Sequence, residues 1–347
     1  MLKRWVPLSV FSLLLMSGCQ TGQVYIPSQS DSPELTSHDS QSVYEVEFFA
    51  VQAFFRATID LNHEFERYCA QGGELLGIKQ QWHQTTLAWM ALQGQERGPT
   101  RALERSWNVQ FWPDKKNTTG RKMQSLITSP NSYTVEEIAE QSVTVQGLGA
   151  IEWLLYEEVS NLPNDPMVCE TGVAISENLV NNADAIRKAW STNPWKSLDN
   201  EDWEAEYLAL LSSQLDYSIK KLSRPMAKVG NPRPYFAEAW RSQTSMSNLK
   251  ANIEALEALY IADGNGLDRL LRDDGHVALA DRIVNQFDIM LVTWPSESSL
   301  FQLLQSKQGY QQVFAQYNKL TQLKYLIHEE VAIELGVVIG FNATDGD

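Results

Sequence analysis

Beyond about residue 42, apolar residues recur at three- and four-residue spacing through almost the whole chain. No run alternates apolar with polar residues for long enough to make a strand. The spacing predicts helices near 43–70, 74–95, 135–160, 168–190, 200–224, 246–262, 276–292 and 308–335. Start and stop signals agree with it. Thr134 and Glu137 form a capping box ahead of the 135–160 segment, and Gly72-Gly73 separates the first two helices. Pro163 and Pro166 close the helix expected to end near Glu158. Amphipathic helices with short connections bury their apolar faces against one another, so the expected fold is all-α. It is read as two antiparallel helical-bundle halves with aromatic-rich loops, an N-terminal half over 43–162 and a C-terminal half over 163–347.

Two stretches interrupt the pattern. Residues 96–133 carry Gly98-Pro99, Trp107, Phe111-Trp112-Pro113-Asp114 and Arg121, with short helical pieces at most. Residues 225–241 carry Pro225, Pro232, Pro234, Tyr235 and Trp240-Arg241, followed by Ser242. Loops held on a rigid scaffold are where binding residues concentrate. The plainer reading of most of these tryptophans is that they plug the ends of a core.

The N-terminus has the parts of an export signal over 1–18. Lys3 and Arg4 supply the positive start, and an apolar stretch over 5–16 follows, too short to span a bilayer comfortably. Leu15-Met16-Ser17-Gly18-Cys19 then resembles a bacterial lipobox, with Met16 an unusual residue in it. The expectation is a lipoprotein of the periplasm, anchored to the bilayer by acyl chains on Cys19; Gln20 after the cysteine points to the outer membrane. The alternative is a plain secretory signal followed by an incidental cysteine. Residues 20–42, rich in Ser, Gln, Pro and Asp, read as a flexible tether from the lipidated Cys19.

Charge excludes one class of partner. With 28 Lys+Arg against 43 Asp+Glu, the net charge is -15, and such a surface repels nucleic acid. With Cys19 lipidated, Cys69 and Cys169 remain; in an oxidising compartment they read most simply as a disulfide, the alternative being two buried free thiols. No zinc-type Cys/His spacing occurs.

In the 135–160 segment the apolar stripe runs Ile138, Val145, Leu148, Leu155, Val159, and its three-four alternation places Glu152 on the same face. A carboxylate on a core face must be hydrogen-bonded, paired or metal-bound. A structural salt bridge to Arg121 or Arg241 is the competing account of Glu152. Gly147 and Gly149 are poor helix residues, together costing roughly 2 kcal/mol against Ala. Glycines in a helix usually permit close backbone approach.

Gly147-Leu148-Gly149-Ala150-Ile151-Glu152-Trp153-Leu154-Leu155 resembles the signature of the imelysin family, Gly-x-His-x-x-Glu followed by an aromatic and two leucines. The order of further segments supports the resemblance: Tyr68-Cys69, Gly98-Pro99, Phe111-Trp112-Pro113-Asp114, Arg121, Cys169, Trp190, Glu238 and Arg241-Ser242. Leu335-Gly336-Val337, Gly340-Phe341-Asn342 and Asp345-Gly346-Asp347 complete it. The resemblance implies an all-helical envelope protein with its signature near the junction of two bundles and a role in handling iron or another divalent metal. On that basis Gly147, Gly149, Glu152, Trp112, Asp114, Arg121, Glu238 and Arg241 are the candidate binding residues, with Glu152 the candidate metal ligand.

One position departs from the signature: its histidine is Gly149 here. A His/Glu ligand pair at i and i+3 therefore cannot form. The chain also lacks the His-Glu-x-x-His of a hydrolytic zinc centre, so the family's metallopeptidase label has no visible support and no catalytic residue is assigned. His38 falls in the tether, leaving His63, His83, His276 and His328; His63-Glu64-Phe65-Glu66 has ligand-like spacing but reads as a solvated helix face. Asp263-Gly264-Asn265-Gly266-Leu267-Asp268 has the wrong ligand order for a calcium loop and reads as a turn. The expected function is non-enzymatic binding of a metal, metal complex or partner (an envelope or metal-uptake protein) during acquisition. The alternative is an interaction module whose metal site has been lost.

Overall fold

The computed structural model describes residues 32–337. Two long helices open it, α1 (Gln41–Gln71) and α2 (Leu75–Met90), parted by Gly72, whose φ of 69° a side chain would resist. The first irregular stretch holds α3 (Thr100–Leu103), α4 (Ser106–Val109) and α5 (Thr118–Ile127). Next come α6 (Val135–Ala139), α7 (Gly147–Tyr156) and α8 (Pro166–Ala189), Pro166 starting α8 where its missing N–H costs nothing. The remainder comprises α9 (Asn200–Met226), α10 (Ser245–Ile261), α11 (Leu267–Asp273), α12 (Val277–Val292), α13 (Leu300–Leu303), α14 (Lys307–Lys324) and α15 (Val331–Glu334). No strand occurs among the described residues, so the all-α expectation holds.

α1 lies along α8 and α2, and α7 packs on α8 and α2; in the later half α9 packs with α10 and α14, and α12 with α14. α10 touches both α1 and α2 and joins the two groups. The long helices bury faces rich in apolar residues, and aromatic rings pack together in the core. Trp190, Trp195, Trp203 and Tyr207 form a chain with successive centroids 5.4, 5.2 and 5.1 Å apart. These tryptophans are core residues, whereas of the loop tryptophans read as core plugs Trp112 is buried and Trp107 is 50% exposed. None of the described helices is long and apolar enough to cross a membrane.

Cys69, near the end of α1, and Cys169, near the start of α8, form a disulfide with Cα atoms 5.7 Å apart. The free-thiol alternative is thereby removed. Closing a loop of 100 residues is worth on the order of 4 to 5 kcal/mol in the chain-entropy account.

The structure corrects the reading of 135–160 as one helix. The chain breaks between Ala139 and Gly147, because Gln146 is extended (φ −113°, ψ 162°) and Gly147 has φ 65°. Ile138, Val145, Leu148 and Leu155 are buried, whereas Val159 lies beyond the end of α7 and is 55% exposed. A second correction concerns the tether. Its last residues are bound to the body: Glu34 accepts from the Asn193 backbone at 2.9 Å and pairs with Lys196 at 2.6 Å, and His38 Nε2 lies 2.9 Å from the Leu198 carbonyl. Cys19, Gln20, the signal-like segment 1–18 and the terminal motifs from Gly340 onward lie outside the described residues.

Glu47 sits on the buried face of α1. The Gln95 amide donates to its Oε2, while Oε1 has no partner and burial pushes the carboxyl up to about 8. The folded state therefore holds a proton that the unfolded chain has released, so stability falls as pH rises from 4.5 to about 8. The expected slope is at most about 1.4 kcal/mol per pH unit. Urea unfolding across that window should show it in wild type and a much flatter profile in Glu47→Gln; parallel profiles would refute the assignment.

Candidate functional site

α7 is fixed in place from its first residue. A Cβ on Gly147 would lie 2.2 Å from the Val109 carbonyl oxygen and 2.4 Å from that of Asn108, so the helix starts directly against the end of α4. Gln146 staples the same corner. Its Oε1 accepts from Asn108 Nδ2 (3.1 Å) and Asn178 Nδ2 (3.0 Å), and its Nε2 donates to the Gln141 carbonyl (2.7 Å). From the other side, the Trp82 indole N–H of α2 donates to the Leu148 carbonyl at 3.0 Å.

Leu148, Gly149 and Glu152 of α7 form the floor of a cavity of about 520 Å³, within the range of small-molecule sites. The 110–119 loop walls one side and residues 235–241 the other. Of the predicted site residues, Trp112, Asp114, Gly149, Glu152, Glu238 and Arg241 all line it. Gly147 lies behind the floor, in the contact with α4. Arg121 is exposed on α5 and does not line the cavity.

Glu152 is 5% exposed, and Oε1 accepts from both the backbone N–H and the hydroxyl of Ser242, each at 2.9 Å. Burial raises its proton affinity, more than the charge of Arg241 and the two Ser242 bonds lower it; the Glu238 charge adds to the rise. The salt-bridge account of Glu152 does not hold, because Arg241 pairs elsewhere. Its Nε meets Glu157 Oε1 at 2.7 Å, its Nη2 donates to Asn117 Oδ1 at 2.8 Å, and the guanidinium lies 4.4 Å from the Trp240 ring centroid.

The other two carboxylates are also occupied. Asp114 accepts from the backbone N–H groups of Thr118 (2.6 Å) and Thr119 (2.8 Å), holding the start of α5. Glu238 pairs with Lys221 and accepts from Gln93. Lys221 also donates to Gln93 Oε1 at 2.9 Å and Asn252 Oδ1 at 2.6 Å. Burial lowers its proton affinity and the Glu238 charge raises it.

This donor set does not fit a bare metal ion. Gly149 contributes no ligand, each lining carboxylate already serves a protein donor or cation, and Arg241, Lys115 and Lys116 share the cavity. Among the described residues no group of three or more His, Cys, Asp or Glu is arranged to hold a metal. His63 is on the solvent side of α1, His83 is half-buried with Nδ1 unpartnered, His276 lies near Asp274 and Glu334, and His328 meets Ser212. Residues 263–266 form the turn expected there, while Asp268 lies in the first turn of α11 and pairs with Arg272. Gly149 also corrects an expectation: a Cβ there would meet nothing within 4 Å, so this glycine opens space rather than permitting close backbone approach.

Sequence reasoning missed Trp82, Glu157 and the lysines 115 and 116. Only Lys115-Lys116 carried a signal, as adjacent cations directly after Phe111-Trp112-Pro113-Asp114 in an acidic chain.

Fold and cavity together define an all-helical scaffold with a ligand-sized pocket built on one short central helix. The chain belongs to the imelysin family, whose family model matches residues 50–327. Among solved structures it is similar to an imelysin-like protein from Psychrobacter arcticum 273-4, with TM-score 0.72 and 18% identity over 89% of this chain and 99% of that one. It is also similar to a putative iron-regulated protein A precursor from Parabacteroides distasonis ATCC 8503, with TM-score 0.62 and 13% identity over 88% and 98% of the two chains. No curated protein sequence matches the chain.

Proposed function

We propose that this is a lipid-anchored envelope protein that captures a small organic molecule, or a metal already held in an organic complex, in the α7 pocket without transforming it. The observation that carries this reading is the occupancy of the carboxylates: Ser242 holds Glu152 while Lys221 neutralises Glu238, leaving a pocket suited to a ligand that brings its own donors. The name of the Parabacteroides structure, an iron-regulated protein, supports iron as the metal of such a complex. Cys19 supplies the anchor and the periplasmic face of the outer membrane the address.

Protein purified from membranes in detergent should acquire no stoichiometric iron from ferrous or ferric salts, in wild type or in Glu152→Gln. Iron bound from simple salts in wild type and lost in Glu152→Gln would overturn the reading. Cys19→Ser should move the protein from the membrane pellet to the soluble fraction; unchanged sedimentation would remove the anchor. Chelator-sensitive cleavage of unstructured protein would restore the peptidase alternative.

A further inference from the structure

We infer that the α7 pocket takes a flat aromatic anion, its ring lying on the uncovered backbone at Gly149 and its negative group facing Lys115, Lys116 and Arg241. This rests on the reading that the pocket is a binding site and names the class of its occupant.

Aromatic side chains line the walls. Trp82 and Trp112 line the cavity, and their indole N–H groups are already donated, to the Leu148 carbonyl at 3.0 Å and the Phe236 carbonyl at 3.2 Å. Each therefore brings an apolar ring with no free donor. Trp240 and Tyr235 also line the cavity and pack edge to face with centroids 4.9 Å apart. Surfaces of this kind favour a planar, polarisable ligand, which gains stacking beyond simple area burial.

The floor is open where the family signature has a histidine. Gly149 lines the cavity, its Cβ position is clear to 4 Å, and its φ is not positive. A side chain there would rise into the pocket, so the glycine sets how deep a ligand can sit.

The donors left free on the lining are cationic, whereas its carboxylates already accept from protein donors. Asp114 is spent on two backbone N–H groups of α5, Glu238 on Lys221, and Glu152 on Ser242. Arg241 is paired through Nε and Nη2 and keeps its Nη1 donors. Lys115 and Lys116 are exposed at the cavity and have no ion-pair partner among the described residues. Two such lysines, beside the free Nη1 of Arg241, supply the donors for an anionic ligand. An aliphatic anion would satisfy the cations and leave the rings unused, whereas a neutral ring would do the reverse.

Calorimetric titration of the full-length protein in detergent, with 2-naphthoate, 2-naphthamide and cyclohexanecarboxylate as probes, tests the inference. Naphthoate is expected to bind at least about tenfold more tightly than either of the others. Gly149→Leu should abolish its binding without lowering the melting temperature. Lys115→Gln with Lys116→Gln should weaken naphthoate, reduce the salt dependence of its binding and leave the amide unchanged. Equal affinity for naphthoate and the amide, or undiminished naphthoate binding in Gly149→Leu, would overturn the inference. If cyclohexanecarboxylate alone binds and Gly149→Leu blocks it, the aromatic class falls while the pocket remains a binding site. If none of the three probes binds, the inference fails; if iron also binds from simple salts and depends on Glu152, the reading beneath it fails as well.

Discussion

Replacing Lys221 with methionine should destabilise the protein by about 3–5 kcal/mol, because the change leaves Glu238 without its partner in the core. Both side chains are 2% exposed, so water cannot take over the role of the lost ammonium. The loss should spread beyond the pair. Lys221 also serves Gln93 and Asn252, and Gln93 donates onward to Gln110 Oε1 at 2.5 Å. Asn252 in turn donates to the Met90 carbonyl at 2.7 Å, so one cation on α9 organises the end of α2, the face of α10 and a cavity wall. Adding Glu238→Gln to Lys221→Met should recover most of the loss, since a neutral amide beside a thioether no longer buries a charge. Equilibrium denaturation of the two single variants and the double variant measures the coupling. A loss below about 1 kcal/mol in Lys221→Met would mean that the pair is not what holds these elements together.

Two glycines in the same short helix should respond oppositely to alanine. Gly147→Ala forces a Cβ to 2.2 Å from the Val109 carbonyl oxygen at a residue with φ 65°. Strain and displacement of α4 together should cost on the order of 3 kcal/mol or more. Gly149→Ala places its Cβ in open space at a helical position and should stabilise by about 0.5–1 kcal/mol. Thermal unfolding separates the pair, and equal shifts would show that the two backbones are not distinguished in this way.

That contrast also shows what the sequence made legible. The long helices were readable because their apolar spacing is local, and the burial of Glu152 followed from its place on the stripe. The break before α7 was not, because it depends on Gln146 reaching Asn108 and Asn178 and on Gly147 touching Val109, partners distant in the chain. In isolation the two glycines look alike; only the surroundings make one a contact and the other a gap. Arg121 was drawn in by its neighbours in the motif, yet α5 turns it to solvent. Lys221 continues the buried face of α9 one turn beyond Gln214 and Ser218, a polar stripe that amphipathic patterning reads as surface. The imelysin signature brought Glu152, Glu238 and Arg241 into one account, but their partners Ser242, Lys221 and Glu157 emerge only from the packed chain.

The disulfide divides the pocket in a way that bears on how it empties and fills. Trp82, the 110–119 loop and Glu152 all lie within the covalent ring closed by Cys69 and Cys169, whereas residues 235–241 lie outside it. The inner wall is thus tied at both ends. The outer wall is latched to it by reversible bonds alone: Arg241 to Glu157 and Asn117, Glu238 to Gln93, Ser242 to Glu152, and the Trp112 indole to the Phe236 carbonyl. The outer wall is therefore the cheaper one to swing, and the residence time of the proposed ligand is expected to follow those latches more than the helices beneath it.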